Sequence, residues 1–453
     1  MIVSLISTDS VNTGYVVVSG SGSQTWLMPG VTISNDITPI IQMIGSDNGF
    51  VSDGTILALW TGAGLTLEGT LENVVLGSSS IFRSGAAVGS PSILSSGSFN
   101  SVTNHGLIAT LAGVAIGMLG GGNSIYNDST IEGGSGGVFL GLNGGVGDSV
   151  INYGTINAGN AQLPVFDARF NHAVQVEGDS SVVINHGSLA AVAAFGAGVH
   201  FGAPGFGGGG SRVENYGDIT SAHFWGVDMF DLTNGGAVLF NQGLISGGIG
   251  AVRGSLSDDA VTNAGTVLGL VDLNSGNDRY DGRGGVVFGL ITGGLGNDTM
   301  IGGAQDDNLF GDVGNDLMRG GAGDDTISAS GGNDTIFGGI GDDTITGGTG
   351  RDLITGGAGA DLFVFTTFAD IGNTATTRDQ IIDFTSKFDR IDLGALPGTL
   401  NFIGAAAFSN VANQLRYTAA TGILEGDTNG NGAADFSLFL GAGTDLAAGD
   451  LVL

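Results

Sequence analysis

The sequence predicts an all-β protein: a right-handed parallel β-solenoid over residues 1–270, a parallel β-roll over 271–364 and a β-rich C-terminal cap over 365–453. Three observations carry that expectation. Glycine supplies 88 of 453 residues against 6 prolines, with 42% hydrophobic residues. That balance suits many short strands joined by tight turns and excludes a collagen-like or wholly disordered chain. A loose Asn-x-Gly-x-apolar repeat recurs through the first part of the chain, and a strict nine-residue repeat follows it.

The solenoid is read from its asparagines. The repeat appears at Asn12, Asn104, Asn152, Asn185, Asn215, Asn241 and Asn263, and with Ser in place of Gly after Asn127. From Asn104 onward the successive gaps are 23, 25, 33, 30, 26 and 22 residues, so coil length varies while the strands keep their places. Asn suits such a turn because it tolerates left-handed geometry, and stacked amides can bond from coil to coil. This region resembles bacterial adhesins and autotransporter passengers, and also polysaccharide-acting β-helix enzymes.

A second apolar strand lies between the asparagines. Aligning these strands on their valine puts Gln175, His200, Asp228 and Arg253 in one column on four successive coils, outward if Val174, Val199, Val227 and Val252 point inward. His172, Arg169, Asp167 and His223 are expected near one end of it. Acid, base and cation together are what a uronate lyase or epimerase needs to neutralise a carboxylate and move a proton. His200, Asp228 and Arg253 are therefore the candidate catalytic residues of a surface ladder. The competing expectation is a solvated sheet face held by cross-coil pairs.

The roll rests on the nonapeptides GGLGNDTMI, GGAQDDNLF, GDVGNDLMR, GGAGDDTIS, ASGGNDTIF, GGIGDDTIT, GGTGRDLIT and GGAGADLFV from residue 293. Their sixth place is always Asp: Asp298, Asp307, Asp316, Asp325, Asp334, Asp343, Asp352 and Asp361. The eighth is always apolar, so a short x-U-x strand turns only U inward. Two nonapeptides make one coil, and aspartates 18 apart stack on one edge. Carboxylates and turn carbonyls between coils form an all-oxygen cage suited to Ca2+, and nonapeptides of this form are a known calcium-binding repeat. The first-place glycines Gly293, Gly302, Gly311, Gly320, Gly338, Gly347 and Gly356 belong to these turns, and Asp278 sits in a degenerate copy ahead of the array. Residues 271–364 hold 15 acidic and 4 basic residues, a surplus that asks for several cations. Two departures bear on it: Gln305 replaces the fourth-place glycine, and Ala329-Ser330 replace the paired glycines, so one or two cages are expected weak or empty.

With these residues the chain resembles the repeats-in-toxin (hemolysin-type) calcium-binding proteins. Residues 379–384, 389–393, 415–417 and 426–436, with the ending Asp450-Leu-Val-Leu453, look like the C-terminal domain and secretion signal of serralysin-type proteins. The resemblance implies export by a type I secretion apparatus, a Gram-negative bacterial source and an extracellular destination. The first residues, lacking a basic stretch and an apolar core, fit a route without an N-terminal signal. No His-Glu-x-x-His occurs, so a serralysin-type metalloprotease is excluded. Asp427, Asn429, Asn431 and Asp435 form a second metal candidate of shortened EF-hand type. An Asn-Gly hairpin turn explains the same spacing equally well.

A net charge of −31 disfavours nucleic acid and anionic lipid and favours divalent cations. Absence of cysteine removes disulfides and thiolate chemistry. The uncharged run 106–122 is broken by glycines and falls short of the ~20 apolar residues of a membrane span, so none is expected. The expected function is a secreted, calcium-binding structural or adhesive protein of the bacterial surface, matrix or surface layer, partnered by self-association or a cell-surface or glycan ligand. An extracellular polysaccharide lyase, hydrolase or epimerase is the alternative.

Overall fold

The computed structural model describes residues 3–6, 10–11, 16–21, 23–28, 31–35, 41–46, 48–53, 55–58, 65–84, 91–141, 147–159, 171–192, 195–202, 210–232 and 235–453. The chain forms two compact units, Met1–Ser257 with Gly265–Gly269, and Asp258–Ala264 with Leu270–Leu453.

In the first unit each coil contributes one strand to each of three parallel sheets. Ser149–Asn152 leads to Thr155–Ala158 and Val174–Val176 before the next coil opens at Val182–Asn185. Val150 pairs in register with Val183, Ile156 with Leu189 and Val174 with Val199. Period-two alternation explains the faces: Val150, Ile156, Val183 and Leu189 are fully buried, while the residues flanking each are only partly covered. The uncharged run 106–122 contributes the strands Leu107–Thr110 and Val114–Met118. No helix among the described residues is long and apolar enough to cross a membrane.

The asparagine column is a hydrogen-bonded ladder. Nδ2 of Asn104, Asn127, Asn152 and Asn215 donates to Oδ1 of the next asparagine at 2.8 Å, and Asn185 donates to Asn215 at 2.9 Å. Each amide also donates to a carbonyl two residues on or in the next coil, as Asn185 does to Gly187 and Asp218. These residues are fully buried with their polar atoms paired. Asn12, the outlier of the repeat, lies outside the described residues.

In the second unit the coil has two sides. Thr299–Ile301, Leu317–Ala322, Thr335–Ile340 and Leu353–Ala358 pair in parallel on one, and Leu290–Leu295, Asn308–Val313, Thr326–Gly332 and Thr344–Gly350 on the other. Met300, Met318, Ile327, Ile336, Ile345 and Phe363, all eighth-place residues, meet in a core at 0–1% exposure. Coil pairing does not stop with the nonapeptides: Leu353 pairs with Gln380, Phe363 with Ile391, and Ile391 with Leu451. An antiparallel meander of Gln414–Thr418, Ile423–Asp427 and Phe436–Phe439 completes the C-terminal region.

Candidate metal centre

Two columns of aspartate line the edges of the roll. On one edge the backbone N–H of Asp278, Asp298, Asp316 and Asp334 donates to Oδ1 of the aspartate one coil on, at 2.7, 2.8, 2.7 and 2.9 Å. On the other, Asp307, Asp325 and Asp343 do the same at 2.8, 2.9 and 3.0 Å. Both columns outrun the repeat. Asp352 N–H donates to Asp379 Oδ1 (2.7 Å), and Asp361 N–H to Asp389 Oδ1 (3.1 Å).

The second carboxylate oxygen decides the chemistry. Oδ2 of Asp278, Asp298, Asp316, Asp325, Asp334, Asp343, Asp352, Asp361 and Asp379 is buried and accepts no hydrogen bond. Burying an ionised oxygen without a partner is costly. Burial accordingly pushes Asp325 and Asp334 up to about 7, helped by neighbouring aspartates. It pushes Asp298, Asp343, Asp352 and Asp361 up to about 6, Asp278 to about 8 and Asp379 to about 9. A hard divalent cation answers that strain, since it takes oxygen ligands only. Among the described residues no point gathers three or more acidic or imidazole groups, so a cage here needs backbone carbonyls beside its carboxylates.

The glycines make room for these oxygens. A Cβ at Gly293, Gly311, Gly320, Gly338, Gly347 or Gly356 would collide with Oδ2 of the aspartate five residues on. Positive φ is needed at the second and fourth places, as at Gly339 (134°) and Gly341 (135°).

The two departures from the repeat have opposite consequences. Ser330 takes up the left-handed conformation at φ 78°, Ala329 is fully buried, and Asp334 keeps its unpartnered Oδ2. Gln305 lacks the positive φ of a fourth-place glycine, and in this turn Gly303 N–H donates to Asp307 Oδ2 at 2.6 Å. Asp307 therefore differs from the other seven sixth-place aspartates, because the oxygen a cation would use is spent. Asp389 closes the same edge likewise, with Thr385 N–H on its Oδ2 at 2.7 Å. Sequence spacing missed Asp379 and Asp389 as ladder members because they stand 27 and 28 residues after their partners rather than 18. The local signal was present, since Asp-x-Ile recurs at 379–381 and 389–391.

The 427–435 segment favours the hairpin reading. Asp427 spends Oδ1 on Gly430 N–H (2.7 Å) and Oδ2 on Gly432 N–H (2.8 Å). Asp435 accepts from Thr428 and Asn429, while the Asn429 and Asn431 oxygens accept backbone N–H groups two residues on. These four side chains build the turn between two antiparallel strands, leaving their oxygens occupied.

The solenoid column stands as spaced but not as exposed. Gln175 pairs with His200, His200 with Asp228 and Asp228 with Arg253, yet Gln175 is 3%, His200 7% and Asp228 0% exposed. The expected surface ladder is thus a buried cluster, because Val199–Phe201 and Trp225–Asp228 are covered on both faces. Asp228 takes Arg253 Nε and Nη2 at 2.7 Å each and His200 Nδ1 at 3.1 Å, while His200 Nε2 faces Asp231 at 3.5 Å. Despite its burial, these partners hold the Asp228 carboxyl well below the usual range and outweigh burial to raise His200. His172 stacks on His200 at 4.3 Å, and burial lowers it. His223 is exposed, and Asp167 and Arg169 lie outside the described residues.

No curated protein matches the sequence. The RTX calcium-binding nonapeptide repeat family (4 copies) matches at residues 290–318, 310–345, 328–363 and 337–371. Its repeats bind Ca2+, and residues 290–371 of this chain are an RTX calcium-binding repeat array.

Proposed function

We propose that this is a secreted calcium-binding structural or adhesive protein of the surface or matrix of a Gram-negative bacterium, exported through a type I secretion apparatus and folded outside by Ca2+. Proteins with such repeats are typically secreted by these bacteria. The observation that carries the reading is the pair of columns of buried, unpartnered Oδ2 atoms. Where calcium is scarce, nothing neutralises them, and the roll stays open and exportable. Where calcium is abundant, an ion that binds only the folded form adds its binding free energy to folding. In this reading the ligands are Asp278, Asp298, Asp316, Asp325, Asp334, Asp343, Asp352, Asp361 and Asp379 with the carbonyls of their turns.

A structural role for the solenoid is supported by its asparagine ladder, whose buried amides bond from coil to coil. Within the column His200, Asp228 and Arg253 are spent on one another and on Asp231, which favours a packing role for these three over a catalytic one. The test is a calcium titration of the purified chain followed by circular dichroism and light scattering. Strand signal should rise cooperatively with calcium, and particle mass should climb after it. A strand signal in chelator equal to that in calcium overturns the calcium step, and a chain that folds but stays monomeric at all concentrations counts against a self-assembling role.

A further inference from the structure

One polar column of the roll ends in two arginines. The backbone N–H groups of Asn297, Asn315 and Asn333 donate to the asparagine oxygen one coil back at 2.9, 2.7 and 2.7 Å, and Arg351 N–H continues onto Asn333 at 3.0 Å. Asp352 N–H reaches Asp379, and Leu353 pairs with Gln380. Arg378-Asp379 therefore stands one coil beyond Arg351-Asp352. Two cationic residues follow one another where the preceding coils carry asparagine. Strands of neighbouring coils lie ~4.8 Å apart, and like charges held opposite each other are destabilising.

Neither arginine is neutralised from within. Arg212, Arg253, Arg279, Arg283 and Arg416 meet carboxylates at 2.7–3.0 Å, whereas among the described residues Arg351 and Arg378, like Arg83, Arg319 and Arg390, meet none. Gln380, its amide oxygen turned to accept from Arg351 Nε (3.2 Å) and Nη2, holds one guanidinium in place. Arg378 Nε is buried without a hydrogen-bond partner. Both arginines line a cleft of about 280 Å³ walled by Gln380, Ala375, Ile423 and Phe439. That volume falls just below the ~300–1,000 Å³ of drug-sized ligand sites, so the occupant is small.

We propose that this cleft binds a carboxylate carried on a single sugar ring, an acidic monosaccharide unit of the hexuronate type. Guanidinium forks match a planar carboxylate in a bidentate manner. Ile423 and Phe439 offer the ring body an apolar wall, and the bound anion relieves the repulsion between the two cations. Arg351 and Arg378 each directly precede a column aspartate, Asp352 and Asp379, but the proposal rests on the cleft and does not depend on the export reading.

The test is calorimetric titration of the calcium-loaded full chain with glucuronate, using glucose and inorganic phosphate as comparators. Glucuronate should bind saturably, glucose not at all, and phosphate at least tenfold more weakly. R351Q and R378Q should each weaken glucuronate at least tenfold while keeping the calcium-dependent strand signal. R378K, which keeps the charge and loses the fork, should fall between R378Q and the native chain. Removing one of two repelling cations should not lower the Tm of the ligand-free protein. Absence of saturable glucuronate binding, equal binding by the arginine variants, or equal binding of glucose or phosphate overturns the proposal.

Discussion

Asp298 and Asp316 stand 18 residues apart and are joined by a hydrogen bond of 2.8 Å from the backbone N–H of the first to Oδ1 of the second, while each keeps Oδ2 buried and unpartnered. One oxygen builds the coil, and the other charges it. Structure and calcium dependence therefore reside in the two halves of the same carboxylate.

That division predicts how asparagine acts in the column. Asp316→Asn keeps the Oδ1 acceptor and deletes the charge. Loss of a charged contact of about 1.5–3 kcal/mol should raise the calcium needed for half-folding roughly ten- to hundredfold. Asp307→Asn should change it little, because Gly303 already occupies Asp307 Oδ2. Calcium titrations of both variants by circular dichroism check this, and equal damage from the two counts against the assignment.

Acid should partly replace calcium. The folded, metal-free roll holds Asp298, Asp343, Asp352 and Asp361 at about 6 and Asp325 and Asp334 at about 7, above the ~3.9 of an unfolded aspartate. Between those values the folded state binds more protons than the unfolded one, so metal-free stability falls as pH rises through about 6 to 7. In chelator, strand signal should be greater near pH 5 than near pH 8. With calcium the sense reverses, since protons compete with the ion, and half-folding should need more calcium at the lower pH. A chelated chain whose signal ignores pH contradicts the burial of these oxygens.

The solenoid should respond to its amide ladder and not to calcium. Asn152→Ala removes the acceptor of Asn127 and the donor to Asn185, leaving buried partners unsatisfied at about 1–3 kcal/mol each. Urea unfolding of the solenoid should shift to a lower midpoint by an amount independent of calcium. A calcium-dependent shift would falsify the separation.

Asp228→Ala leaves Arg253 and His200 without their shared carboxylate. Breaking such a buried pair costs about 3–5 kcal/mol, so a large fall in Tm is expected. Among the described residues the ion pair that Asp231→Ala removes is the 3.5 Å contact with His200 Nε2, and its loss should cost far less. Differential scanning calorimetry of the two variants distinguishes them, and comparable losses would contradict the central role of Asp228.

By itself the sequence determined everything that repeats at a fixed period. A strict nine-residue spacing places the same residue at the same point of each repeat, so the roll's inward apolar residues and stacked aspartates follow from short-range backbone geometry, and the solenoid's asparagine ladder follows from a recurring Asn-x-Gly turn although its spacing varies. The tertiary structure decided what depends on residues distant in the chain. Asp379 and Asp389 join the columns across connections of 27 and 28 residues. His200, Asp228 and Arg253 keep the register their spacing implied, but the burial of His200 and Asp228 on strands covered on both faces is decided by the folded chain. Gln305 and Ser330 both break the glycine pattern, and only the folded backbone distinguishes them: serine accepts the left-handed turn, whereas glutamine does not, and the freed Gly303 N–H takes the oxygen a cation would need.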